Sequence, residues 1–174
     1  MFPEGFQTQR LLLRPVGLAD VRPIFDSYAQ DPEVSRYLTW RPHAAIEETE
    51  TYVKACLAAT TYRTYVLVQR TSDVAIGAFD VRHSGPARLG YGYVLARAFW
   101  GQGLMTEALA EIVDWALRQP SIWLIGDVCD FENVASARVM EKVGLEREGI
   151  LRRWGMHPNL SDVPRDCFSY AKVR

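Results

Sequence analysis

The sequence is poor in cysteine, with three in 174 residues. They stand at positions 56, 129 and 167, without a C-x-x-C pair and without a histidine beside them, so neither a disulfide framework nor a zinc site is expected. Reduced thiols fit a cytoplasmic protein. Histidine is as sparse: His43, His83 and His157 share no spacing, and each reads as a surface or loop residue rather than a metal ligand or base. No stretch reaches the ~18 apolar residues of a membrane span. The start, Met1-Phe2-Pro3-Glu4-Gly5, has no basic region followed by an apolar run, so export is not expected either. Charge of one sign is also missing: 20 Lys and Arg stand against 21 Asp and Glu, a net charge of -1. That balance gives no electrostatic reason to expect a nucleic acid or an anionic membrane as partner. Repeats, low-complexity tracts and Ser/Gly linkers are absent, and residues 1–174 read as one domain.

What is present is a continuous α/β pattern. Arg10 to Val16 reads as a first strand and Ala19 to Gln30 as a helix, which Asp31-Pro32 ends. Short and longer helical pieces follow at Glu33 to Leu38 and Ile46 to Ala59. Three apolar strands, Thr64 to Arg70, Val74 to Arg82 and Leu89 to Leu95, are separated by turn compositions and form an antiparallel meander. In the third, Leu89, Tyr91, Tyr93 and Leu95 share a face, while Gly90, Gly92 and Val94 leave the other face bare, which invites close approach.

The helix after Gly103 carries apolar residues at Leu109, Ile112, Val113, Ala116 and Leu117, and Pro120 stops it. Ile122 to Cys129 is a nearly continuous apolar strand, and Ala135, Val139 and Val143 mark a second helix ended by Gly144. Strands at Glu146 to Arg153 and Cys167 to Val173 complete a mixed, mostly antiparallel sheet of about seven strands with helices on both faces.

Two segments carry chemistry. Phe99-Trp100-Gly101-Gln102-Gly103-Leu104-Met105-Thr106-Glu107-Ala108 leads from a strand into a helix, and its free backbone N–H groups at the positive end of a helix dipole suit a phosphate. The same glycines would equally serve a plain strand-to-helix turn. A P-loop fits poorly because Leu104 follows Gly103 and no lysine follows within the helix, and the Rossmann fingerprint fails at its third glycine, where Thr106 stands. The second segment runs from Asn133 to Leu145. Asn133 suits an N-cap, Ser136 the N3 position and Gly144 the stop, so these residues have structural work without any ligand.

The order and spacing of Gly92-Tyr93-Val94-Leu95, Trp100 to Ala108 and Asn133 to Leu145 resembles the GNAT N-acetyltransferase superfamily, in particular its ribosomal-protein N-terminal acetyltransferases. The opening Arg10-Leu11-Leu12-Leu13-Arg14-Pro15 and the closing Leu145 to Arg152 are similar to the family's ends, so the resemblance spans nearly the whole chain. It implies a GNAT-type fold and an acetyl-CoA-dependent N-acyltransferase that acetylates a primary amine, either a protein N-terminus or a small molecule, by direct attack in a ternary complex. The resemblance further implies that Gln102, Gly103, Leu104, Met105 and Thr106 hold the pyrophosphate of coenzyme A. Val94, Leu95 and Ala96 would pair with the pantetheine amides, Asn133 would hydrogen-bond the pantetheine, and Ser136 would stabilise or protonate the leaving thiolate. Tyr37 and Trp40 fall in the region that closes over the acceptor, and relatives of this branch often form homodimers.

Three positions depart from the family pattern. Met105 stands where alanine or glycine is usual and must turn into the core if the backbone is still to meet phosphate. The strand glutamate associated with deprotonating the amine aligns with Gly90, and the helix tyrosine that serves as general acid aligns with Met140. The base is therefore unassigned among Asp80, Asp127, Tyr91 and Glu148. Cys129, with no histidine or lysine neighbour in sequence, reads as a buried structural thiol. A non-catalytic acyl-CoA-binding module and an unrelated α/β nucleotide binder are the alternatives.

Overall fold

The computed structural model describes residues 2–174. Its strands are β1 (Phe6–Gln7), β2 (Leu11–Pro15), β3 (Tyr62–Gln69), β4 (Ala75–Gly85), β5 (Arg88–Leu95), β6 (Leu124–Asp130), β7 (Glu146–Gly155) and β8 (Arg165–Val173). They form one sheet of 8 strands in the order β1-β2-β3-β4-β5-β6-β8-β7. All neighbours run antiparallel except β5 and β6. The strand that sequence patterning misses is β1, which pairs only Phe6 with Leu13 and Gln7 with Leu12. Two residues are too few to show an alternation.

The α-helices are α1 (Val21–Ile24), α2 (Pro32–Ser35), α3 (Ile46–Ala58), α4 (Leu104–Arg118) and α5 (Val134–Lys142). The helical segment expected over residues 19–30 is present but not uniform. It opens as a 3-10 turn at Leu18–Asp20, continues as α1, and widens to a π-helical turn at Phe25–Ala29. Its start is fixed by the buried Asp20, whose carboxylate accepts hydrogen bonds from Arg14 at 2.7 and 2.8 Å and from the Gly17 N–H at 2.8 Å. A buried carboxylate is tolerated here because both its oxygens are satisfied.

Period-two alternation sends successive side chains to opposite faces of the sheet. Leu11, Leu13, Tyr65, Leu67, Phe79, Leu89 and Ile125 pack with α4 and α5 on one face, whereas Val66 and Ala78 pack with residues of α1 and α3 on the other. Helix α4 anchors the larger core because Leu104, Met105, Ala108, Leu109, Ile112, Val113 and Ala116 are all buried along one stripe. Full burial of each large apolar side chain is worth about 1.5–3 kcal/mol, so this face holds the helix far more firmly than propensity does.

The parallel seam sets the position of everything functional. Strands β5 and β6 pair only at Arg88 with Leu124 and Leu89 with Ile125. Beyond those two positions they separate, and the sheet forks.

Candidate functional site

In an antiparallel ladder, the backbone groups of alternate residues point to opposite neighbours. The Tyr91 N–H donates to Asp127 Oδ2 on β6 at 2.9 Å, so odd residues of β5 face the fork and even ones face β4. The Ala96 N–H confirms the alternation by donating to Ile76 O at 2.8 Å. Tyr93 and Leu95 therefore turn their backbone groups into the fork, where β6 has already diverged. The Leu95 carbonyl accepts a hydrogen bond from Trp100 Nε1 at 2.7 Å. Within the expected run Val94, Leu95 and Ala96, the residue whose amide faces the fork is Leu95, with Tyr93 before it.

The glycine loop lies at the mouth of the fork. Gly101 and Gly103 both have left-handed φ, +73° and +75°, and a Cβ on Gly101 would meet nothing within 4 Å. Gly103 is the N-cap of α4 and offers no side-chain cap, so the first-turn N–H groups have no side-chain acceptor. Such a terminus is suited to an anion. The loop is fixed from behind: Arg10 donates to the Gln102 carbonyl at 2.8 Å and to Glu107 Oε2 at 2.6 Å. Glu107 also accepts hydrogen bonds from the Thr8 hydroxyl and the Arg10 amide. Burial disfavours the Glu107 carboxylate, but these donors outweigh burial and hold its pKa below the ordinary value. Met105 is buried in the main core, which leaves its backbone free to follow the loop.

Two cavities flank the fork. One, of about 450 Å³, is lined by Val94, Leu95, Gly103, Leu104, Met105, Thr106 and Asn133, with Arg36, Arg138 and Lys142 supplying positive charge against the single acid Glu33, which pairs with Arg36. Gln102 and Ala96 do not line it; the Gln102 side chain instead donates to the Ala98 carbonyl at 3.1 Å. The other, of about 730 Å³, is walled by aromatics including Tyr37, Trp40, Tyr52 and Trp154, and holds Asp80, Arg82 and Asp127. Asn159 fixes its upper wall by donating to the carbonyls of Ser35 and Trp40, both at 2.7 Å.

The cavities share Tyr37, Leu38, Tyr93, Val94, Asn133 and Ser136. Ser136 and Tyr93 join hydroxyls at 2.7 Å where the cavities meet. Asn133 caps α5 by accepting the Ser136 N–H at 3.1 Å, so its structural role stands, and its amide nitrogen is available beside the shared wall. Burial raises the Tyr93 pKa, against the Ser136 hydrogen bond. The phenol stays protonated and can donate.

Tyr93 is the residue that sequence reasoning did not single out for chemistry. It belongs to the Gly-Tyr-Val-Leu motif, but its partner lies 43 positions away. Met140 is fully inside the core and provides no acid.

The bare face of β5 is filled from the neighbouring strands. A Cβ on Gly92 would stand 2.5 Å from Asp80 Oδ2, and one on Gly90 would stand 3.0 Å from Asp127 Oδ2. Arg82 bridges the two carboxylates, at 2.6 Å to each. Glu148, by contrast, is exposed on β7 and lines neither cavity. Tyr91 is buried, and burial raises its pKa further from a base's range. His157 lies in the loop after β7, in keeping with its reading as a surface or loop residue, and is buried there. Cys129 is a buried thiol pushed up to about 12 by its burial, and all three cysteines are free.

The sheet forked at one parallel pair, with a glycine-led helix at the fork, frames both cavities. The family model described as an acetyltransferase (GNAT) domain matches residues 10–146, and the chain belongs to that family. It is 27% identical over 179 residues to the uncharacterized N-acetyltransferase YoaA of Bacillus subtilis (strain 168), covering 100% of this chain and 99% of that protein. The fold also matches an acetyltransferase (GNAT family) from Bacillus anthracis, with a TM-score of 0.85 at 23% identity and coverage of 97% and 98% of the two chains. RimL, a ribosomal L7/L12 alpha-N-protein acetyltransferase solved in complex with coenzyme A, superposes with a TM-score of 0.84 at 20% identity, over 98% of each chain.

Proposed function

We propose that the protein is an N-acetyltransferase that moves the acetyl group of acetyl-CoA to a primary amine, a peptide N-terminus or a small molecule, by direct attack in a ternary complex. The observation that carries this reading is the meeting of a cation-lined cleft and an acid-bearing aromatic cleft at one hydroxyl pair, Tyr93 and Ser136. The first cleft suits coenzyme A: first-turn amides of Leu104, Met105 and Thr106 for the pyrophosphate, fork-facing amides of β5 for the pantetheine, and Asn133 beside it. Arg36, Arg138 and Lys142 meet the charge of the remaining phosphate. The second cleft, under Tyr37 and Trp40, receives the amine.

Direct transfer asks the enzyme mainly to position the amine and to polarise the thioester carbonyl. The Tyr93 N–H is the fork-facing amide nearest the hydroxyl pair and is suited to polarise that carbonyl, while Ser136, backed by the Tyr93 phenol, stabilises the departing thiolate. The same reading takes residues 1–174 as one catalytic domain, at work in the cytoplasm with its thiols reduced, and as a homodimer by likeness to relatives of its branch.

Purified protein, acetyl-CoA and a panel of amines and N-terminal peptides test the proposal through thiol release. Turnover with at least one acceptor is expected. Tight coenzyme A binding without thiol release from any acceptor would favour the second reading, a non-catalytic acyl-CoA-binding module, for which the glycine at 90 and the methionine at 140 speak.

A further inference from the structure

We propose that Asp80 and Asp127, bridged by Arg82, form the docking and proton-accepting site for an acceptor that arrives as a protonated primary amine on an aromatic or apolar body. The inference rests on the reading of the larger cleft as the acceptor site. It replaces a family base that this chain lacks with one delivered from the strands on either side.

The geometry is unusual in how it is made. Strand β5 has no side chain at positions 90 and 92, and the vacated volume is occupied by carboxylates from β4 and β6, which a Cβ at either glycine would contact at 2.5 to 3.0 Å. Asp127 is held by the Tyr91 and Val128 N–H groups, both at 2.9 Å, and by Arg82. Asp80 Oδ1 accepts from Arg82 at 2.6 Å, and Asp80 Oδ2 stands over Gly92, next in the chain to Tyr93.

The trio carries two negative charges and one positive, so the site is one cation short. The Asp80 and Asp127 side chains are 33% and 18% exposed, so an ammonium can reach them from solvent, and it supplies the missing charge while its body lies against Tyr and Trp faces. Tyr91 and His157, two residues that line this cleft and are only 3% and 7% exposed, each carry a buried polar atom without a partner, Oη and Nδ1. Unpaired buried polar atoms are costly, and a polar ligand would satisfy them. The direction of the Asp127 pKa agrees: it is raised, by burial, against the opposing pull of Arg82. A carboxyl poised in this way accepts a proton more readily than an ordinary aspartate.

The step balances without another reactant. The ammonium gives one proton to the carboxylate pair, and the freed nitrogen lone pair adds to the thioester carbonyl carbon. The C–N bond forms and the C–S bond breaks. A second N–H proton passes to the coenzyme A thiolate past Ser136, leaving a neutral amide, and the carboxylate pair returns its proton to water.

Two isosteric acceptors test this: phenethylamine, protonated at pH 7, and O-benzylhydroxylamine, neutral at pH 7. We expect Asp127→Asn and Asp80→Asn each to lower kcat/KM for phenethylamine by about 100-fold, the lower end of general-base effects. The same variants should lower it for O-benzylhydroxylamine by less than about 10-fold. Coenzyme A affinity by calorimetry should match the unaltered protein, and using both variants guards against one failing to fold. Equal loss with both acceptors, or loss with neither, overturns the proton-accepting role. Acetylation of alanyl or seryl peptides without any acetylation of phenethylamine overturns the assigned acceptor class. Absence of turnover with all of these acceptors and with the wider panel is failure of the transferase reading itself.

Discussion

Removing either hydroxyl of the Tyr93 and Ser136 pair should slow acetyl transfer while leaving coenzyme A binding nearly intact. At 2.7 Å the two oxygens share one proton between them. Either hydroxyl can donate to the other, and with the phenol as donor the serine proton is free to point at the departing sulfur. A hydrogen bond to a charged group is worth about 1.5–3 kcal/mol, against about 0.5–1.5 for a neutral pair. Ser136→Ala removes the first and should cut kcat by about 13- to 160-fold, at 1.36 kcal/mol per decade. Tyr93→Phe leaves the serine but not its orientation, and should cost about 2- to 13-fold on the neutral-bond scale. Because the phenol acts through the serine, the double variant should be no slower than Ser136→Ala alone, giving a coupling energy of about the size of the Tyr93→Phe effect. Rapid measurement of thiol release at saturating acetyl-CoA, with calorimetry for coenzyme A, reads all four corners of the cycle. Additive losses, or an unchanged kcat in Ser136→Ala, would refute the reasoning.

Two further perturbations separate the loop from the core. Glu107→Gln should destabilise the protein and weaken coenzyme A binding, because the carboxylate anchors Thr8, Arg10 and, through Arg10, the Gln102 carbonyl. The folded-state pKa of Glu107 is depressed, so its stabilisation is present above the unfolded value of about 4.3. It is lost as pH falls through the lower folded value. Denaturation curves should show the two proteins converging in that acid range, and a constant gap at all pH values would show that charge is irrelevant. Met105→Ala should cost about 2–5 kcal/mol of stability for the cavity it opens, measured by urea denaturation. Coenzyme A affinity should hold within a few-fold, because only backbone is offered to the ligand.

Sequence patterning reached the elements that satisfy strong local rules. Helix α4 has a buried stripe long enough to show the 3.6-residue period, and Gly103 and Pro120 punctuate it at both ends. It failed where the determining interaction is remote. The π-helical turn at Phe25–Ala29 leaves no period of its own, and β1 is defined by a partner rather than by composition. The glycines at 90 and 92 did announce a bare strand face. What fills that face depends on the register that sets Asp80 opposite Gly92 and on the fork that aims Asp127 back across β5. The Tyr93 and Ser136 contact is of the same kind, because it needs α5 packed on the sheet before the hydroxyls can meet. His157 read as a loop residue, correctly, but loop position did not reveal its burial beside Asp130, 3.7 Å from its Nε2.

The short parallel pairing of β5 with β6 has a mechanical meaning. With ladder contact limited to Arg88–Leu124 and Leu89–Ile125, the block of strands β1 to β5 is riveted to the block β6 to β8 less by hydrogen bonds than by the side chains behind them. Helix α4 acts as the clamp, touching β1, β2 and β6 at once. The gap is held at its edge by the Asp127 contacts to the Tyr91 N–H and Arg82 and from behind by the interior in which Leu109, Ile112 and Ile125 pack. A change of one methylene there, far from either cleft, would reset the spacing of the jaws.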